Sequence, residues 1–305
     1  VSRPNAEFSL IDWFRSQASA HDRLSVGIGD DTASLRISDC NRQLVTVDML
    51  LEGVHFRIPD VAAADIGRKA LAVNLSDIAA MAGRPTAAVV SVALSRNHGT
   101  AFAKEMFTGL KTLADEFDVA IAGGDTNIWD GPSVISVTVL GEVTGSEPVL
   151  RSGARSGDWI MTTGSFGGSL LGKHFSFQPR VTEALALHET VALHAMIDVS
   201  DGLAADLHHI LDESSVGAII DEQSVPISDA VKNDKSPIER ALGDGEDFEL
   251  LFTVSDDDGQ RLLSNQPFDV KLTKIGVITE SNQCQLRNAS GRMSDLPPRG
   301  WEHIF

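Results

Sequence analysis

The stretch Asp65-Ile66-Gly67-Arg68-Lys69-Ala70-Leu71-Ala72-Val73-Asn74-Leu75-Ser76-Asp77 decides how the first half of the chain is built. Ile66, Ala70, Val73 and Asp77 recur at helical spacing, so all four lie on one stripe of a helix predicted over 65–81. Around it the period changes. Residues 42–50, 86–94, 119–122 and 133–143 are rich in Val, Ile and Thr and read as strands, and 100–117 reads as a second helix. This half is mixed α/β. A turn-rich passage, Glu147-Pro148 and then residues 151–158, leads to a strand at 159–163 that opens a second α/β series. That series has helices at 181–193 and 203–211 and short strands at 196–199 and 218–220. Phe248, Leu250, Phe252 and Val254 alternate with Glu249, Leu251 and Thr253, the period of a strand. The boundary falls near 148, which gives domains of 1–148 and 149–305.

The same helical stripe carries a chemical anomaly, because Asp77 points where the apolar face points. Four further segments place an aspartate after an apolar run or among glycines: Gly27-Ile28-Gly29-Asp30-Asp31, Val45-Thr46-Val47-Asp48, Gly123-Gly124-Asp125-Thr126 and Asp198-Val199-Ser200-Asp201. Asp48 and Asp125 read as the ends of strands, where ligands bind in open α/β sheets. Any one of them has an ordinary reading as a turn residue, an N-cap or half of an ion pair. Together they point to hard divalent cations with oxygen ligands. Ser200 or Asp201 would serve as the N-cap of the following helix, which leaves Asp198 surplus. The start of that helix suits a phosphate.

Composition narrows the partners. With 305 residues, 42% of them apolar, the chain is long enough for two cores. Its 43 Asp and Glu against 25 Lys and Arg leave a net charge of −18, which argues against nucleic acid or an anionic membrane surface as partner. An anionic substrate would need metal ions as intermediaries. No run approaches the ~18 apolar residues of a membrane span. Cys40 and Cys284 are far apart and fit neither a disulfide scaffold nor a zinc site. The polar start of the chain carries no export signal, and a cytoplasmic location is expected.

Other candidates carry less. Gly167-Gly168-Ser169-Leu170-Leu171-Gly172-Lys173-His174 has the spacing of a P-loop, but His174 stands where the metal-binding hydroxyl belongs, so a glycine-rich packing turn is expected. His208 and His209 read as solvated helix residues. His55 follows Asp48 closely and reads equally as a ligand contact or a surface histidine.

Taken in order, these segments, with Val47-Asp48-Met49-Leu50-Leu51-Glu52-Gly53-Val54-His55-Phe56, Lys69 through Asp77, Arg151-Ser152-Gly153-Ala154, Asp198-Val199-Ser200-Asp201-Gly202-Leu203 and Gly245-Glu246-Asp247-Phe248-Glu249-Leu250-Leu251-Phe252, resemble the thiamine-monophosphate kinase family. The resemblance implies a two-domain fold of the aminoimidazole ribonucleotide synthetase type. It also implies a homodimer built through the N-terminal sheets and ATP-dependent phosphorylation of thiamine monophosphate to the diphosphate. Carried over by position, the magnesium ligands fall on Asp31, Thr46, Asp48, Asp77, Asp125, Asp198 and Asp201, with Asp48, Asp77 and Asp201 central to catalysis. Gly124, Asp125, Arg151 and Ser200 would meet ATP, and His55, Glu246 and Trp301 the thiamine phosphate. Several Mg²⁺ ions are implied, and a requirement for K⁺ is left open. The chain departs from the family pattern at Asp244, where glycine is usual, and in a shortened stretch between 172 and 195. Two alternatives stay open: a synthetase of the same superfamily with another acceptor, and a Mg-ATP-binding protein without turnover.

Overall fold

The computed structural model describes residues 24–26, 33–38 and 41–302. Among them the strands form two sheets, and helices pack between and beside these. The first sheet has the order β1-β2-β3-β6-β4-β5, with β1 Leu24–Val26, β2 Ala33–Ser38, β3 Asn41–Leu51, β4 Gly83–Ser95, β5 Ala120–Trp129 and β6 Val134–Val143. In β3 the alternation divides two environments: Leu44, Thr46 and Leu50 are buried, whereas Val47 and Met49 are 60% and 54% exposed. The helices α1 Ala63–Ala80 and α2 Thr100–Glu116 cover the inner face. They approach closely because Gly67 and Gly109 sit at their crossing. A Cβ on either would come within 2 Å of a backbone carbonyl, that of Met106 or of Ala64. Small Ala residues complete the contact, and α1 is buried on nearly every side.

Two strand ends differ from expectation. β3 runs on to Leu51 and β5 to Trp129, so Asp48 and Asp125 lie inside strands instead of ending them. The reason is pairing: β6 continues alongside β3 as far as Leu51, and β4 alongside β5 as far as Trp129.

The second sheet has the order β13-β12-β9-β11-β7-β10-β8, from β7 Trp159–Thr163, β8 Ala195–Asp198, β9 Gly217–Asp221, β10 Leu250–Val254, β11 Leu272–Thr279, β12 Cys284–Arg287 and β13 Met293–Asp295. The period of two in β10 is real, but it does not separate core from solvent. Leu250, Phe252 and Val254 join one apolar core with α1 and the first sheet, and Leu251 joins a second core beneath α4, Leu203–Ser214. Both faces are covered, and Glu249 and Thr253 are buried as well. The remaining helices are α3 Val181–Thr190, three residues shorter than expected, α5 Pro237–Gly243 and α6 Asp256–Ser264.

The P-loop look-alike folds as two short 3₁₀ turns, Ser169–Leu171 and Lys173–Phe175. Its leading amides are occupied by protein acids: Gly167 donates to Asp247 Oδ2 and Gly168 to Asp244 Oδ2, at 2.9 and 2.7 Å. It is a packing turn. His208 and His209 are half-buried and not solvated as expected; His208 Nε2 lies 2.8 Å from the carbonyl of Leu296, which the C-terminal strands bring over α4.

Candidate active site

A cleft of about 320 Å³ opens where the inner face of β3, helix α1 and the loops of the second sheet meet. Asp48 and His55 come from β3 and the turn after it, Asp77 from the last turns of α1, and Asp198, Ser200 and Asp201 from the end of β8 and the turn that follows. Glu246 and Trp301 complete the set from the far wall. Eight of the residues singled out in the sequence thus line one cavity. Thr46 lies just behind it, its hydroxyl donating to Asp77 Oδ2 at 2.5 Å. Asp31 lies outside the described residues.

Local chemistry explains these placements. On β3, pairing with the described residues of β2 reaches Val45, and the backbone amide at Asp48 has a side-chain partner. Asn74 of α1 supplies it, accepting from the Asp48 amide at 3.1 Å while its own amide group donates to the Ala70 carbonyl. One helical turn of α1 thereby carries Asn74 for the Asp48 backbone, Ser76 for Asp198 Oδ2 at 2.5 Å, and Asp77 itself. His55 Nδ1 accepts from the Leu51 amide, which puts the proton of the neutral ring on Nε2 and makes that edge a donor.

The turn after β8 is clamped from two sides. Glu246 and Phe248 donate their amides to the carbonyls of Ser200 and Val199, and Trp301 donates its backbone amide to that of Asp201. Gly245, Glu246 and Phe248 all adopt left-handed backbone conformations, with φ of 72°, 54° and 51°. At Gly245 a Cβ would stand 2.7 Å from the Asp201 carbonyl, so that close approach needs glycine. For Glu246 and Phe248 the conformation costs on the order of 1–2 kcal/mol each, a strain of the kind concentrated at functional sites.

The start of α4 is not capped as expected. Gly202 is the N-cap, and Asp206 reaches back to accept from the amides of Asp201 and Gly202, both at 3.0 Å. Two amides at the helix start, where a phosphate is expected, are therefore held by a carboxylate of the chain. Burial pushes the Asp206 carboxyl well up, and the nearby charges of Asp201 and Asp198 push it further. Asp201, Asp206 and His209 bring ligand atoms within 4.8 Å of one another.

Gly124, Asp125 and Arg151 do not line the cleft. Across the sheet Asp125 pairs with Ser91, Ser91 with Ser136, and Ser136 with Met49, which puts Asp125 on the outer face with exposed Met49. Its carboxylate accepts from the Thr126 amide and the Asn127 side chain. Arg151 lies toward α4, where its charge pulls the Asp206 carboxyl down.

The far wall holds residues that stand in the quoted motifs but to which the sequence reading gave no role in the site. Lys69 Nζ, fully buried, lies 2.6 Å from Glu246 Oε2 and 2.8 Å from His174 Nδ1. Burial pulls the Lys69 ammonium below its usual range, against the charge of Glu246. Burial also pushes Glu246 up, but His174 and Lys69 outweigh it and hold the carboxyl below the usual range. Deeper still, Glu249 takes a two-point contact from Arg180 at 2.7 and 2.8 Å and a third cationic donor from Lys173. A signal for Lys69 existed: it stands three residues after Ile66 and four before Val73, a lysine on the buried stripe.

Oxygen donors, carboxylates above all, gathered from three separate elements suit hard divalent ions such as Mg²⁺. Comparisons with known proteins agree in kind. The AIR synthase related protein N-terminal domain matches residues 29–143, and the corresponding C-terminal domain matches 143–287. The thiamine-monophosphate kinase of Rhodopirellula baltica is 39% identical, with 97% of each chain covered, and that of Bacillus subtilis is 34% identical, with 98% of this chain and 99% of that one covered. A solved structure described as AaThiL complexed with AMPPCP and TMP superposes with a TM-score of 0.85 at 29% identity, covering 98% of this chain and 97% of its own. With both domains matched and such identities sustained over nearly the full length, the chain belongs to the thiamine-monophosphate kinase family of AIR synthase related proteins.

Proposed function

We propose that the cleft carries out ATP-dependent phosphorylation of thiamine monophosphate to thiamine diphosphate by direct in-line transfer. The observation that carries this reading is the convergence of Asp48, Asp77, Asp198 and Asp201 on one cavity whose opposite wall presents Glu246 and a half-exposed Trp301. The substrate carries an anionic phosphate at one end and a cationic, flat ring system at the other. Its ring end fits Glu246 and the face of Trp301, with Leu50, Val54 and Phe248 as apolar walls. Its phosphate then points to the aspartates.

Asp48, Asp77, Asp198 and Asp201, with Thr46, Asp31 and Asp125, are the residues proposed to hold magnesium. When bound, Mg²⁺ would neutralise the charge of two phosphate groups that otherwise repel. The chain orients the reactants: a phosphate oxygen of thiamine monophosphate forms a bond to the γ-phosphorus of ATP as the bond to the ADP oxygen breaks. That nucleophile is already ionised, so no general base is needed. His55 matches this role, because its Nε2–H is a donor and not a proton acceptor. Ser200 and Arg151 are assigned to ATP.

Gly124 and Asp125 are also assigned to the nucleotide, from a sheet face that carries exposed Val47, Met49, Ile128 and Trp129. That apolar face supports a homodimer through the N-terminal sheets, with 1–148 as the domain that binds ATP and dimerises. No described helix is long and apolar enough to cross a membrane. Burial pushes the free thiol of Cys284 up to about 12, and such an unpaired, protonated thiol suits a reducing cytoplasm. The test is incubation of the protein with ATP, Mg²⁺ and thiamine monophosphate, scored for thiamine diphosphate and ADP in equal amounts. ADP without the diphosphate would defeat the reading.

A further inference from the structure

Glu246 presents a carboxylate to the cleft that is fixed at every point except one. Its amide donates to the Ser200 carbonyl at 2.6 Å, its own carbonyl accepts from Ser169 Oγ at 2.6 Å, and its φ of 54° leaves the backbone little alternative. Oε2 receives both Lys69 Nζ and His174 Nδ1, each at 2.6 Å. Among the described residues Oε1 receives no hydrogen bond. We propose that Lys69, with His174 beside it, is a positioning residue that fixes Glu246 so that Oε1 faces the ring of the acceptor, and so sets affinity for the acceptor without touching it. This rests on the reading of Glu246 as an acceptor contact.

Three observations support an indirect role. Lys69 has no exposed surface, so a ligand in the cleft cannot reach its ammonium. That ammonium donates to Glu246, reaches the His55 carbonyl at 3.5 Å and lies 5.1 Å from the centre of the Phe175 ring, with His174 beside it. And Lys69 stands on α1 two turns before Asp77, about 12 Å along the axis, so one rigid helix sets the separation between the carboxylate at the ring end and the acids at the phosphate end. The length of the acceptor between its ring and its phosphate must match that separation. A pre-aimed carboxylate avoids the cost of ordering it on binding.

The experiment is a double-mutant cycle on the full chain, with Lys69→Met, His174→Gln, Glu246→Gln and the paired variants, measuring KM for thiamine monophosphate and for ATP separately. Wild-type turnover tests the functional reading itself, and Glu246→Gln tests whether that residue contacts the acceptor. Given both, Lys69→Met is expected to raise the KM for thiamine monophosphate by about 10- to 100-fold, the loss of one charge-assisted hydrogen bond, with the KM for ATP held. Lys69→Met combined with Glu246→Gln should be no worse than the poorer single variant, since both remove one interaction. Losses that multiply, an unchanged KM for the acceptor, or equal rises for both substrates would overturn the proposal. Where Lys69→Met does not fold, His174→Gln with Glu246→Gln decides by the same criteria.

Discussion

At one end of the cleft Asp77 and Asp198 accept hydrogen bonds from the hydroxyls of Thr46 and Ser76; at the other, Glu246 and Glu249 accept from Lys69, His174, Arg180 and Lys173. The two kinds of donor do different work. A hydroxyl orients a carboxylate and leaves its charge in place, whereas an ammonium or guanidinium cancels the charge inside the protein. The Glu246 end is thus largely neutralised and oriented by the protein's own cations, with Oε2 held and Oε1 left to accept. At the aspartate end the hydroxyls of Thr46 and Ser76 orient their carboxylates without adding a charge of their own, an arrangement suited to cations that travel with phosphate.

Removing a charge should therefore have opposite consequences at the two ends. At Glu249, buried beside the Glu246 end, Glu249→Gln leaves Arg180 its longer contact with Glu183, at 3.5 Å, and is expected to lower stability by about 1–3 kcal/mol, read from urea unfolding, with the KM for ATP little changed. Asp247 is the exception there, since Oδ1 is buried without a hydrogen-bond partner and burial raises its pKa from 3.8 to about 7. The folded state then takes up a proton that the unfolded state has already released. The Asp247 contribution to stability should be constant below about pH 4, fall by up to a few kcal/mol as pH rises to about 7, and level off above that. Asp247→Asn should flatten that part of the profile when unfolding midpoints are compared at acid and neutral pH; an unaltered slope would show that another group causes it.

At the aspartate end the reading is kinetic. Asp77→Asn should cut turnover at limiting Mg²⁺ by at least about 100-fold, with partial recovery at high Mg²⁺, because the lost charge weakens ion binding more than it disturbs packing. Full activity at limiting Mg²⁺ would erase the contrast between the two ends. The smallest effect is expected from Thr46→Val, which keeps the shape and removes the hydroxyl that donates to Asp77, weakening apparent Mg²⁺ affinity about 10-fold. A titration of rate against Mg²⁺ measures it.

Much of the site was legible because its signals are local. The stripe through Ile66, Ala70, Val73 and Asp77 gave the helix and the inward acid, and the run Asp198-Val199-Ser200-Asp201 announced a strand, a turn and a helix start. What escaped depends on partners distant in sequence. Lys69 is defined by Glu246, 177 residues away, and Ser76 by Asp198, 122 away. Asp206 stands in no motif, and only the fold turns it back on the amides of Asp201 and Gly202.

The sequence by itself determined the mixed α/β class, the helical and strand periods and the supply of aspartates, because propensity and amphipathic spacing act over a few residues. Tertiary structure alone decided where the charges are spent: which acids meet hydroxyls, which meet buried cations, and which face of the first sheet holds Asp125. Those outcomes follow from strand pairing and helix packing, which bring together groups whose separation along the chain carries no information about their distance in space.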